Sequence, residues 1–224
     1  MEKQIQTSRV ERKKDSVEFY LTIFLYIFFG AGVIWHLWGV TRNLMLTFTP
    51  YGLLLANLIV LYPLIVKRYK KSLYWVSITF IFTFIIEIIG IHTGFIFGNY
   101  FYGTILGFKL FKVPVLIGLN WVLVIFGSIK ISKIFSSDKI ISSLITGLLA
   151  VIFDLALEPV AVKFGYWNWM NNSVPPQNYF AWFFITSLAS ILFYFLRIED
   201  TSKLPKHYFY AQIIFFLMLN FFYR

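Results

Sequence analysis

Seven stretches of about 20 mostly apolar residues limit what this chain can fold into more than any other feature. They cover 17–40, 47–66, 73–91, 113–131, 140–162, 179–196 and 208–223, with short polar or basic connections between them. In hydrocarbon every backbone N–H and C=O must be satisfied within the chain, and runs of this length achieve that as helices. The expected fold is an all-α integral membrane protein of about seven transmembrane helices. Charge agrees with this, because only 13% of the residues are charged, about half of what a soluble surface needs. A formal charge of +10 would suit nucleic acid if it formed one patch. Here the basic residues fall between the apolar runs, so no nucleic-acid partner is expected. Of the 20 Lys and Arg residues, only Arg42, Lys109, Lys112, Lys163 and Arg224 fall on one side of the seven-span topology. By the positive-inside rule the N-terminus is cytoplasmic. Residues 1–16 then form a basic cytoplasmic tail, and 17–224 a single polytopic domain of the cell inner (cytoplasmic) membrane. Six or eight spans would put the charge out of phase. The first run is longer than a signal-peptide core and no A-x-A site follows it, so it reads as an uncleaved span.

Carboxylates stand inside these runs, where an ionisable group is costly and points to function. Glu87 lies in the third run, and Asp154 and Glu158 lie near the end of the fifth. After each comes a Gly- and aromatic-rich loop, 92–112 and then 163–178. Val113-Pro114 or Val174-Pro175 opens the next run, and Trp121 or Trp182 follows its proline by the same interval. The pattern predicts an internal helix-loop-helix repeat, helices 3-4 and 5-6. At about 1.5 Å per residue, Glu87 lies roughly 22 Å and Asp154 roughly 21 Å from the cytoplasmic ends of their helices. Asn120 lies about 10 Å from the outer end of the fourth, at nearly the same level. Glu158 is one turn above Asp154 on the same face. Three carboxylates in one layer would repel if all were ionised, so at least one is expected to hold a proton at neutral pH. A protonated acid beside an ionised one is a general acid/base arrangement. The alternative, neutral acids that only tie helices together, is weakened because no Lys or Arg lies in the layer.

Tyr100, Tyr102, Tyr166, Trp167 and Trp169 suit an interfacial aromatic belt. Their π faces could also stabilise a cation, and the two roles are compatible. His36, between Trp35 and Trp38, reads as an interfacial residue. His92 opens the first loop and could join Glu87 on a metal, but no metal site is expected from a chain with three histidines and no cysteine. A multi-histidine di-iron centre is excluded for the same reason. The phosphate-loop, dinucleotide, nucleophile-elbow and zinc-protease motifs are missing, as is an Asp-rich diphosphate motif. A retinal protein would need a buried lysine in the seventh run, and there is none. A proton-coupled transporter could use the three carboxylates as a relay. It would be favoured by broken helices in matching positions, yet the repeat brings proline only at helix starts.

The segments E-I-I-G-I-H-T-G-F-I-F-G-N-Y-F-Y, V-P-V-L-I-G-L-N-W, D-L-A-L-E-P-V-A-V-K-F-G-Y-W-N-W and V-P-P-Q-N-Y-F-A-W resemble the CruF-type carotenoid biosynthesis family over about residues 75–185. The resemblance implies a membrane carotenoid 1,2-hydratase, a hydro-lyase. Such an enzyme adds water to the terminal C1–C2 double bond of an acyclic (psi) end group, giving a tertiary alcohol. Lycopene, γ-carotene and bisanhydrobacterioruberin are the implied substrates, reached through membrane lipid, with other carotenoid-pathway enzymes as possible neighbours. On this expectation Asp154 or Glu87 donates the proton, Glu158 orients or deprotonates the water, and Asn120 holds it. Trp121, Tyr166 and Trp167 face the cation, while Tyr100, Trp169, Trp182 and His92 complete the substrate site. No cofactor is required. A small membrane lycopene-type cyclase uses the same protonation but captures the cation with an internal double bond.

Overall fold

A computed structural model describes residues 2–199 and 201–223, residues 2–15 by backbone alone. The expected tail at 1–16 therefore lies, except for Ser16, outside the fully described residues. The helices are α1 (Glu2–Leu37), α2 (Gly39–Val66), α3 (Lys70–Thr93), α4 (Val115–Phe135), α5 (Lys139–Lys163), α6 (Pro176–Phe195) and α7 (Leu204–Tyr223). Six are long and apolar enough to cross a membrane. The seventh carries Lys206, His207, Gln212 and Asn220, and packs its 20 residues against α1, α4 and α5. The chain is thus a multi-pass, all-α membrane protein.

Helix α4 is the centre. It touches α2, α3, α5, α6 and α7, and between Ile117 and Ser132 it is buried almost all round, as a helix apolar on every face should be. Small residues let its neighbours approach. A Cβ at Gly127 would collide with the Pro205 carbonyl on α7. Toward the basic end, hydroxyls tie the helices together. Ser132 on α4 bonds Ser142 on α5 at 2.8 Å, and Ser142 bonds Tyr194 on α6 at 2.6 Å.

Two expectations need correction. The connection expected at 41–46 is helical, because the chain reverses at Trp38 alone, in extended conformation between α1 and α2. Arg42 closes that corner by donating to the His36 carbonyl at 3.1 Å, one of the orphan acceptors at the end of α1. Proline in the repeat is not confined to helix starts, since α5 runs through Pro159, just as α2 runs through Pro50 and Pro63. The two Gly- and aromatic-rich loops also hold short strands. Strand β1 (Tyr100–Tyr102) of the first pairs antiparallel with β4 (Trp167–Trp169) of the second, and β2 (Lys109–Leu110) pairs with β3 (Val113–Pro114).

The β1–β4 register sets Tyr100 opposite Trp169, Phe101 opposite Asn168 and Tyr102 opposite Trp167. It is centred on Phe101 and Asn168, so exchanging the strands superposes Tyr100 on Trp167 and Tyr102 on Trp169. The two helix-loop-helix units therefore meet face to face through equivalent residues. Gly94 ends α3 in the left-handed conformation, φ 65°, which suits glycine. At Gly103 the backbones come so close that a Cβ would run into the Gly165 carbonyl oxygen.

Candidate active site

Alternation along a strand sends residues i and i+2 to one face. In β1 that face carries Tyr100 and Tyr102, and in β4 Trp167 and Trp169, all four buried, with Phe101 and Asn168 turned outward. Beneath this lid stand the carboxylates. Tyr100 donates to Oε2 of Glu87, and Tyr102 donates to the same oxygen at 3.0 Å. Trp167 and Trp169 donate through Nε1 to Oε2 of Glu158, at 3.0 and 2.9 Å. Asp154 accepts at Oδ2 from Asn178 of α6 at 2.6 Å. Its Oδ1 is buried and has no hydrogen-bond partner among the described residues.

All three carboxylates, Asn178 and the four lid residues line one cavity of about 20 Å³. One water needs about 10–15 Å³ of such volume. The far wall is Trp121 stacked on Trp182, ring centroids 3.8 Å apart and 16° from parallel, with Phe97 against the Trp182 ring at 5.2 Å. The prolines Pro114 and Pro175 precede these two tryptophans by equal intervals, and the two units contribute one ring each. Burial, and next to it the Glu87 carboxylate, push the hydroxyls of Tyr100 and Tyr102 well above the usual tyrosine range, so both act as donors. Trp N–H is a donor without acceptor capacity.

The chamber thus brings together Glu87, Asp154, Glu158, Tyr100, Trp121, Trp167, Trp169 and Trp182. Three expected members lie elsewhere. Asn120 does not reach the carboxylates. Its Oδ1 accepts from the Tyr208 hydroxyl at 2.6 Å and from Gln212 at 2.8 Å, both on α7. Adjacent residues on a helix point about 100° apart, so Trp121 faces the chamber and Asn120 turns away. His92 is exposed and donates back to the Ile88 carbonyl at 2.9 Å, away from Glu87. Among the described residues no group of three His, Asp or Glu is arranged to hold a metal ion. Tyr166 lines a second cavity and bonds Thr49 of α2, with its hydroxyl pushed by burial to about 12.

That second cavity, about 540 Å³, lies between α1, α2 and α7 and is walled mainly by aliphatic and phenyl side chains. Asn120, Leu157 and Tyr166 line it, while their chain neighbours Trp121, Glu158 and Trp167 line the chamber. Residues adjacent in the chain thus line the two spaces. Asn178 is a site residue that the sequence reading does not contain. Its signal is its place one turn before Trp182 on α6, hence on the same face.

The family described as carotenoid biosynthesis protein matches residues 47–224. Over 166 residues, 67% of this chain, the sequence is 30% identical to the bisanhydrobacterioruberin hydratase of Haloarcula japonica. The match covers 55% of that protein, so the chain spans about half the length of the curated relative. No solved structure matches. The family match takes in every helix that carries a carboxylate of the chamber, and the chain belongs to the carotenoid biosynthesis protein family.

Proposed function

We propose that the protein is a cofactor-independent carotenoid 1,2-hydratase of the cytoplasmic membrane. The observation that carries this reading is a buried, aromatic-walled chamber, large enough for one water, in which three carboxylates meet and one carboxyl oxygen has no partner among the described residues. Asp154 is the proton donor: Asn178 fixes one of its oxygens and the other is free. The proton goes to C2 of the terminal double bond, whose π electrons form the new C–H bond and leave a tertiary cation at C1. Water adds its oxygen to C1, and Glu158, its Oε2 held in place by two indole N–H groups, takes the water's proton. Proton return from Glu158 to Asp154, one turn apart, restores the acid. The sum is addition of H2O. Trp121, covered by Trp182 on one face, offers its other π face to the cation, and such a contact contributes about 2 kcal/mol or more when desolvated.

The end group enters from the 540 Å³ cavity, and the side chains of Asn120, Leu157 and Tyr166, which line it, move aside to let it reach Asp154. Lycopene and γ-carotene present the acyclic end this chemistry needs, and the relative's name adds bisanhydrobacterioruberin as a candidate substrate. The chain should be expressed in bacteria that accumulate each of these pigments, with products separated by chromatography and weighed. A product heavier by one or two waters, lost in Asp154→Asn, is expected. An isomer of unchanged mass and shorter-wavelength absorption would replace the hydratase by a cyclase. Unchanged pigment from well-expressed protein, with all three supplied, would overturn both.

A further inference from the structure

The large cavity is apolar along most of its wall, but two of its buried polar side chains keep an atom without a partner. His36 of α1 is 6% exposed, and its Nδ1 donates to the Gly32 carbonyl at 2.7 Å. In the neutral ring that leaves Nε2 as a lone-pair acceptor, and Nε2 is buried without a hydrogen bond among the described residues. Gln212 of α7 is 1% exposed and gives its amide N–H to Asn120, whose Oδ1 also accepts from Tyr208. Its Oε1 is left buried and unpaired among the described residues. Both residues line the same cavity, and both flank Phe215: the His36 ring stands 5.5 Å from the Phe215 ring, and Gln212 lies one turn before it on α7.

Two buried acceptors in an apolar space are unfavourable unless a donor meets them. A purely hydrocarbon ligand supplies none. A long apolar molecule with an O–H group supplies one and fills the remaining wall with carbon. A hydroxyl accepts as well as donates, so it would satisfy the Gln212 amide in either of its two orientations. We infer that this cavity is a binding site for the hydroxyl-bearing end of a polyene, whose single O–H proton goes to one of two buried acceptors, His36 Nε2 or Gln212 Oε1. The ligand class rests on the carotenoid reading, whereas the site itself rests on the two acceptors. It gives the protein a place to hold an end that has already been hydrated, beside the chamber where hydration is proposed.

Full-length protein in lipid nanodiscs would be titrated with lycopene and, separately, with its 1-hydroxy derivative, following quenching of tryptophan fluorescence. Wild type should bind the hydroxy compound about tenfold more tightly, as one extra hydrogen bond predicts. His36→Phe and Gln212→Met, which keep the bulk but remove an acceptor, should each reduce that preference while leaving lycopene affinity near wild type. Ala31→Phe, which fills the cavity from α1, should weaken both ligands. Equal binding of the two polyenes by wild type, or a preference untouched by both acceptor variants, would overturn the assignment. Asp154→Asn should keep the preference while losing hydration. A preference without any hydration by wild type would support the cavity and overturn the hydratase reading alone. Hydration without a preference would do the reverse.

Discussion

The two halves of the repeat place aromatic pairs at the same distance from a carboxylate but use them differently. Tyr100 and Tyr102 lie 13 and 15 residues after Glu87, and both bond it. Trp167 and Trp169 stand at those same intervals after Asp154, yet they bond Glu158, one turn later, where the first half has Ile91. The second half thus carries one more acid than the first. That acid takes both indole N–H groups and leaves Asp154 with a single amide donor and one oxygen without a partner among the described residues. The comparison teaches that the duplicated scaffold closes the chamber, and that the departure from symmetry singles out Asp154 among the three acids.

If that is where the chemistry lies, the halves should respond unequally to loss of their acids. Asp154→Asn should lower hydration by about 10³-fold, within the range for loss of a general acid. Glu87→Gln, whose amide oxygen can still accept from both tyrosines, should lower it by about tenfold or less; pigment conversion in cells checks both. Equal losses would break the comparison. The strand pairing that joins the halves offers a second test. Gly103→Ala drives a Cβ into the Gly165 carbonyl oxygen, and overpacking of this kind costs about 1–3 kcal/mol. Thermal unfolding in detergent should show the drop, and Gly30→Ala, where a Cβ meets nothing within 4 Å, should not.

A third test concerns the lid. Trp169→Phe and Tyr102→Phe each remove one of two donors to a buried carboxylate, a loss of about 1–3 kcal/mol in stability. Stability should fall alike in both halves, while activity should fall further in the tryptophan variant. The smallest effect is expected at alkaline pH. Tyr100 and Tyr102 lie well above the ordinary value of 10.0, and Tyr166 at about 12. Below pH 10.0 these hydroxyls are neutral both folded and unfolded, and their contribution to stability is complete. Above that pH the unfolded chain loses protons that the folded chain keeps, so stability should decline as pH rises. Unfolding midpoints between about pH 9 and 12 would show it, with a shallower decline in Tyr102→Phe.

Much of the architecture is legible in the chain. Run length announces the helices, and the runs at 73–91 and 140–162 fall within α3 and α5. The convergence of Glu87, Asp154 and Glu158 is also foreseeable, because depth follows from counting residues along straight helices. Depth does not give direction, however. Asn120 sits at the expected level and faces α7, while Trp121 beside it faces the acids.

By itself, then, the sequence determined the spans, the two matching loops, the buried acids and the family, since each is written in local composition and spacing. Tertiary structure alone decided which donor meets which acid, that two loops pair into one strand lid, and that chain neighbours of the chamber residues line a second cavity. These depend on how each helix is rotated about its axis. That rotation is set by contacts between residues far apart in the chain, such as Asn178 with Asp154 and Gln212 with Asn120.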